Sequence, residues 1–321
     1  MSVTVLHHAR CFDGAASAAI FTAFYRSKVD AGAQFIYRPK LHRKGDPFDD
    51  DDFRGRVTAC VDFRYTKRPG LDWYFDHHAS AFQLEGEREH YEAMRGPQIF
   101  HDADAPCCAT YMAKVLEAQY GFKSDAFGEM LQWAEMIDTA NFPSPELPVA
   151  MEAPAIRLAA FIQSAEDQAD IDRFIEDLLV RPFSELARLP YVDSVVKVRK
   201  RSHAHDCDRI RDLARVDRGV LEYDLLDEEP RVLSHFIPYA QHPDVDYVVG
   251  IYGHGDGDLR LTLGYNPWKT PSGRKHNLAQ ICERYGGGGH PFVAGCSFDL
   301  GMEAECRRAQ REILEYLRSN R

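Results

Sequence analysis

The residues of this chain best suited to chemistry are His and Asp side chains that each follow a short apolar run. Residues 3–14 read Val-Thr-Val-Leu-His-His-Ala-Arg-Cys-Phe-Asp-Gly, residues 59–63 read Ala-Cys-Val-Asp-Phe, and residues 71–78 read Leu-Asp-Trp-Tyr-Phe-Asp-His-His. The apolar parts read as buried strands. The polar parts stand at their C-terminal ends, where ligands and catalytic groups gather in an open α/β sheet. Carboxylates mixed with imidazoles along one rim favour divalent metals, two of them here, working on phosphate.

Each constellation has a plainer reading beside the chemical one. His8 and Asp13 share one strand-to-helix turn, with Gly14 allowing it to be tight and a helix N-terminus following that favours anions. They read as a metal-ligand loop, or as a core His8 with Asp13 capping the helix. Asp62 ends an apolar strand, which is costly for a carboxylate unless it is paired or metal-bound. Asp76-His77-His78 ends the next strand, and a tandem pair is more specific than a lone His. Asp138 closes a helix over 124–139 whose core stripe is Phe127, Met130, Leu131, Ala134 and Ile137. The helix dipole disfavours an anion there, so it is either offset by a cation or simply solvated. The run Gly286-Gly287-Gly288-Gly289-His290 carries a large entropic cost. That makes sense if Gly287, Gly288, Gly289 and His290 form an anion nest; a flexible loop is the other reading.

The elements that must position these groups alternate. The pattern predicts strands over 3–6, 34–38, 57–63 and 73–75, with helices over 15–25, 106–119 and 124–139, hence a mostly parallel sheet. The link from Asp62 to Trp73 is short for a full crossover, so a turn or so of helix is expected there. Residues 49–52 are four aspartates and read as a solvated loop. Residues 152–188 read as helical, and 192–215 as a connecting helix whose Lys197, Arg199, Lys200 and Arg201 form a solvated face or a basic wall. Beyond it come strands over 219–225, 245–252, 259–265 and 293–298 and helices over 232–239, 277–285 and 303–317. Asp256-Gly257 suits a hairpin turn, and Asn277 an N-cap.

The chain has 321 residues, 45% hydrophobic and 28% charged, enough for two soluble domains. No apolar stretch nears the ~18 residues of a membrane span, and no signal-peptide pattern opens the chain. A cytoplasmic location without membrane contact is the expectation. Eight cysteines without CxxC spacing read as mostly buried free thiols and argue against a zinc ribbon. A net charge of −11 argues against a long nucleic-acid footprint. It leaves room for a small phosphorylated ligand, because bound metals outweigh global charge locally.

Together these pieces resemble the DHH phosphoesterase family, with its DHH-associated C-terminal domain, over nearly the whole chain. Asp76-His77-His78 and Gly286–His290 carry the resemblance in that order. The opening segment resembles a branch whose first motif is H-x-x-C-x-D-G, matched by His8, Cys11, Asp13 and Gly14. The implied fold class is α/β: a mostly parallel-sheet N-terminal domain (1–190), a connecting helix (191–215) and a smaller α/β C-terminal domain (216–321), with the active site in the interdomain cleft. The resemblance implies His8, Asp13, Asp62, His77 and Asp138 as ligands of two metals, most often manganese, with Asp62 as the bridge. It implies that His78 faces the scissile phosphate, that Asp76 orients the His pair, and that Gly287, Gly288, Gly289 and His290 bind substrate. Many relatives have Asp where this chain has Cys11. A thiol suits manganese poorly, so one metal site is expected to be weaker, differently occupied or completed by substrate. His7 offers a second spacing to Cys11 and Asp13, so the choice between His7 and His8 stays open. The implied activity is that of a metal-dependent phosphohydrolase, a phosphodiesterase on short oligonucleotides or (cyclic) dinucleotides. A phosphoanhydride hydrolase and a nucleotide-binding regulatory protein with impaired catalysis are the alternatives. The expected partners are a small phosphorylated substrate or a short oligonucleotide, with a homodimer left open.

Overall fold

The computed structural model describes residues 2–43, 45–255, 257–269 and 275–320. The chain divides into two units, Met1–Phe142 with Glu152–Arg199, and Pro143–Met151 with Lys200–Arg321. The first opens with β1 (Ser2–His8), α1 (Phe12–Lys28), β2 (Gln34–Lys40), β3 (Val57–Val61) and β4 (Trp73–Asp76). It continues with α2 (Glu87–Met94), β5 (Ile99–His101), α3 (Cys108–Tyr120) and α4 (Gly128–Asp138). The five strands form one sheet in the order β2-β1-β3-β4-β5, every pair parallel.

Both faces of this sheet are covered, which is why its strands read as continuous apolar runs rather than alternating ones. Val3, Val5, Ala59, Val61 and Phe75 pack with α1 and α3 on one side. Leu6, Cys60 and Tyr74 pack with Phe63, Tyr65 and Tyr91 on the other. Strand order reverses between β1 and β3, and at such a switch point a crevice opens at the carboxyl ends of the strands. His8 ends β1, Asp62 follows β3 directly, and Asp76 ends β4.

Several expectations give way here. No helix forms between Asp62 and Trp73. Packing holds that link instead: Phe63, Arg64, Tyr65 and Thr66 are all buried, and Arg64 Nη1 donates to Gly45 O at 2.9 Å and Gln83 Oε1 at 2.8 Å. The aspartate run is solvated at Asp49, Asp50 and Asp51, as expected, but not at Asp52. Residues Asp50–Phe53 make a 3₁₀ turn, Asp52 is 1% exposed, and Lys40 Nζ lies 2.5 Å from its carboxylate. The helix α2 and the strand β5 escape the apolar pattern because α2 buries only Glu87 and Tyr91 and β5 is three residues long.

After α5 (Glu146–Ala150), the span read as one helical stretch breaks into α6 (Pro154–Ser164), α7 (Gln168–Leu178) and α8 (Phe183–Leu186). Asp167 restarts the chain as the N-cap of α7, accepting from the amides of Ala169 and Asp170. The helix α9 (Pro190–Leu213) leads from the first unit into the second. Within it Lys197 Nζ is 2.6 Å from Asp193 Oδ2, so this member of the basic cluster is already paired.

The second unit adds β6 (Arg215–Asp217), β7 (Val220–Leu225), α10 (Ile237–Gln241), β8 (Tyr247–Gly253) and β9 (Leu259–Tyr265). It ends with α11 (Leu278–Glu283), β10 (Gly288–His290), β11 (Val293–Phe298) and α12 (Glu303–Ser319). Its sheet runs β10-β11-β9-β8-β7-β6, with β7 and β8 parallel and the other pairs antiparallel. Leu259, Leu261, Leu263 and Tyr265 alternate toward α11 and α12, which leaves Arg260 and Thr262 on the opposite face. The helix expected over 232–239 shrinks to α10, which starts only at Ile237 with Pro238 in its first turn, a place where proline is tolerated. Asp256 of the expected hairpin turn lies outside the described residues, but β8 and β9 pair as a hairpin requires, Gly253 opposite Leu259. Asn277 caps α11 through its side-chain oxygen. All eight cysteines are thiols rather than disulfides, and six are buried. Among the described residues no helix is long and apolar enough to cross a membrane.

Candidate metal centre

Successive residues of a strand point to opposite faces, and this separates His7 from His8. His7 is completely buried, with Nδ1 3.1 Å from the carbonyl oxygen of His8. Burial lowers it to about 4, so it is a neutral core imidazole. The His8 ring turns to the rim, with Nδ1 3.4 Å from Asp62 Oδ2. The first turn of α1 presses against the end of β1 so closely that a Cβ on Gly14 would lie 2.3 Å from His8 O. That approach brings Asp13 to the rim. Its Oδ2 accepts from the amide of Cys108 at 2.6 Å and its Oδ1 from that of Ala109 at 2.9 Å. Asp13 is therefore a helix cap, but of the distant α3 rather than of its own helix, and it still faces His77 Nε2 at 3.8 Å.

Asp62 sits at the middle of the cluster. Its φ of +55° is a left-handed conformation rare outside glycine, and such strain concentrates at functional sites. Its carboxylate is fully buried, 3.5 Å from His77 Nε2 and 3.8 Å from His78 Nδ1. These separations exceed hydrogen-bond length. His77 places Nδ1 3.1 Å from Ala105 O and donates there, which turns Nε2 toward Asp62, Asp13 and, at 3.4 Å, Asp138. Buried Asp76 accepts from His78 Nδ1 at 2.7 Å and from Tyr74 Oη at 3.0 Å.

The electrostatics show how much negative charge is gathered here. Burial opposes charging His77, yet the nearby carboxylates of Asp62, Asp13 and Asp138 raise it to about 10. Burial also opposes charging His78, and Asp76 outweighs it, raising His78 to about 8. Asp13 is pushed well above the carboxylate range by burial and by Asp62 and Asp138, and Asp138 rises to about 6 through burial and Asp62. Burial pushes Asp62 the same way, but His77 and His8 overcome it and hold it low.

Ligand atoms of Asp62, His77 and His78, of Asp13, His77 and Asp138, and of His8, Cys11 and Asp62 fall within 4.8 Å of one another inside each set. Asp62 and His77 each stand in two of these three sets, and of the two only the carboxylate has two oxygens with which to bridge. His8 Nδ1, His77 Nε2 and both carboxylate oxygens of Asp62 are buried without a hydrogen-bond partner. Unpaired buried polar atoms are costly, and divalent cations would satisfy all four. The donor set of carboxylate oxygens and imidazoles fits such ions. His42 was not foreseen from sequence; one of its ring nitrogens joins ring nitrogens of His8 and His78 in a further set within 4.8 Å. It lies two residues past β2, set apart from the apolar run Phe35-Ile36-Tyr37 by Arg38, Pro39, Lys40 and Leu41, so its place near a strand end was the one local signal that could have found it.

The glycine run of the second unit is an edge strand rather than a nest, with Gly288, Gly289 and His290 opposite Gly295, Ala294 and Val293. Packing explains two of its glycines: a Cβ on Gly287 would lie 2.2 Å from Gly295 O, and one on Gly289 2.6 Å from Val293 O. Gly288 meets no such obstacle. It lines a hollow of ≈ 410 Å³ with His235, Tyr252, His254, Arg260, Thr262 and Ser297. His290 is exposed on the edge strand beside it.

No family model and no curated protein matches the chain. Solved structures do. A pGpG-specific phosphodiesterase, PggH from Vibrio cholerae, matches at a TM-score of 0.67 and 18% identity, over 98% of this chain and 99% of that one. RecJ from Thermus thermophilus in complex with Mn²⁺ matches at 0.58 and 13% identity, over 97% of this chain and 52% of RecJ. The DHH domain of a member of a family of ribosomal proteins matches at 0.57 and 14% identity, over 98% of this chain and 86% of that one. With Asp76-His77-His78 closing β4 inside this architecture, the chain has the fold of the DHH-domain proteins.

Proposed function

We propose that the protein is a divalent-metal-dependent phosphodiesterase acting on dinucleotides or short oligonucleotides. The observation that carries this is the convergence of Asp13, Asp62, Asp138, His8 and His77 at the switch point of a parallel sheet, with four buried donor atoms unpaired. The names of two structural neighbours support it: one is a pGpG-specific phosphodiesterase, and RecJ is solved with Mn²⁺ and with Mg²⁺. The net charge of −11 favours short substrates over long duplexes.

His8, Asp13, Asp62, His77 and Asp138 would hold the metals, with Asp62 shared and manganese suited to the carboxylate-rich side. Bound there, divalent cations polarise the phosphoryl oxygens and acidify water to give a nucleophile near neutral pH. Asp13 is held in place by the α3 amides and His77 by Ala105 O. His78, raised to about 8, keeps its proton at neutral pH. Asp76 orients it, so that Nε2 can donate to a phosphoryl or leaving oxygen. Gly287, Gly288, Gly289 and His290 would contact the substrate, and the adjoining hollow offers the Arg260 guanidinium and the hydroxyls of Thr262 and Ser297. The test is a substrate panel with added manganese: pGpG, cyclic dinucleotides, short RNA and DNA, and polyphosphate. Linear dinucleotides or short oligonucleotides should turn over only with metal present. Metal-loaded protein that cleaves no phosphodiester would overturn the reading.

A further inference from the structure

We propose that the metal centre is chemically asymmetric, with His42 a ligand at an imidazole-rich end that prefers a zinc-class cation over manganese. This rests on the metal-centre reading above. On one side stand Asp13, Asp138 and His77, two carboxylates and one imidazole. On the other, His8 is grouped with Cys11 and Asp62 and also with His42, giving two imidazoles, a thiol and a single carboxylate, while His78 stays bonded to Asp76 and faces the substrate. Hard oxygen donors suit manganese, whereas imidazole and thiolate suit zinc or cobalt.

The placement of His42 is specific. Its ring stacks on that of Phe63, with centroids 4.6 Å apart and an interplanar angle of 27°. Phe63 is itself fully buried and follows Asp62 directly in the chain. The His42 ring also lies 4.8 Å from that of His8 and 6.0 Å from that of His78, centroid to centroid. The two basic rings of His8 and His42 gain nothing from crowding each other, but they gain from a shared cation. Ligand nitrogens about 2.0–2.1 Å from a tetrahedral ion stand about 3.4 Å apart. Ligand nitrogens of His8 and His42 fall within 4.8 Å of each other, so modest closure is needed, and His42 sits on an exposed loop that can provide it. Independently, His8 Nδ1 and Asp62 Oδ2 on this side are buried and unpaired.

The test is metal selection by the full-length chain. Metal-free protein is equilibrated with one equivalent of Zn²⁺ and a tenfold excess of Mn²⁺, and bound metal is measured after desalting. The expected content is one zinc and one manganese per chain. Titration with Co²⁺ alone should give one site with intense tetrahedral-type visible bands. His42→Ala should weaken zinc or cobalt binding at that site at least tenfold and flatten those bands, with manganese retained at the other site. His42→Cys should restore zinc. Because His42 is exposed, the thermal midpoint of metal-free His42→Ala should match wild type. Unchanged zinc affinity and cobalt spectrum in folded His42→Ala would refute the role of His42. Two manganese ions in wild type under competition would refute the asymmetry. Wild type that binds no metal at all would overturn the metal-centre reading as well, which separates the two failures.

Discussion

Replacing Asp76 by Asn keeps the shape of the side chain but removes the charge that holds a proton on His78. In the native chain His78 is raised from 6.5 to about 8, against the opposing effect of its own burial. That rise alone is worth about 2 kcal/mol in favour of the imidazolium. In Asp76→Asn burial acts with far less opposition, so His78 should fall to 6.5 or lower. At pH 7.5 the protonated fraction then drops from about three quarters to about a tenth. If His78 donates that proton during phosphodiester cleavage, kcat/KM at pH 7.5 should fall about eightfold or more. The alkaline limb of the pH profile should also move down by at least about 1.5 pH units. The sign is fixed because a raised imidazole keeps its proton up to the raised value and loses it as pH climbs past. The same linkage gives the native protein a stabilisation that is full below pH 6.5 and lost through about 8. The stability deficit of the variant should therefore be largest in acid. Losing the charge-assisted bonds from His78 Nδ1 and Tyr74 Oη costs about 1.5–3 kcal/mol. The assays are kcat/KM for a dinucleotide from pH 5.5 to 9 and urea unfolding at pH 6 and 9. Metal content is the control and should not change. A variant with full metal and an unmoved alkaline limb would refute the orienting role of Asp76.

Asp62→Ala should abolish turnover and most metal binding, since Asp62 faces both His8 and His77; a folded variant with near wild-type turnover excludes a shared two-metal site. Metal binding should release a proton at pH 7, because His77 holds one up to about 10 in the metal-free chain and only the neutral ring ligates. Apparent affinity should therefore rise about tenfold per pH unit between 6 and 9, and calorimetry in two buffers of different ionisation enthalpy counts the proton; a buffer-independent enthalpy contradicts this. His290→Ala should leave metal content intact and lower kcat/KM for a dinucleotide about ten- to a hundredfold, while a small generic ester is hydrolysed almost as before. Equal losses on both substrates would place His290 in the chemical step.

Much of the scaffold was legible because it depends on local pattern. Apolar runs buried on both faces marked β1, β3 and β4, and the polar residues ending them had to lie along one rim. Asp62, Asp76, His77 and His78 followed from that reading alone. The choice between His7 and His8 did not, since strand alternation says only that they part, while pairing with β3 decides which one meets Asp62. Asp13 looked like a ligand or a cap; the fold makes it cap α3, whose first residue lies 95 positions on. The glycine run promised a nest, but the backbone of β11 determined which of its glycines packing requires. His42 belongs to a loop with no periodicity, and only the fold stacks it on Phe63 beside His8. Residue types and periodicity determined which strand ends could carry chemistry, because burial pattern is written locally. Which side chains meet across those ends was decided by the tertiary structure, because strand order, helix packing and loop path bring together residues that no local pattern relates.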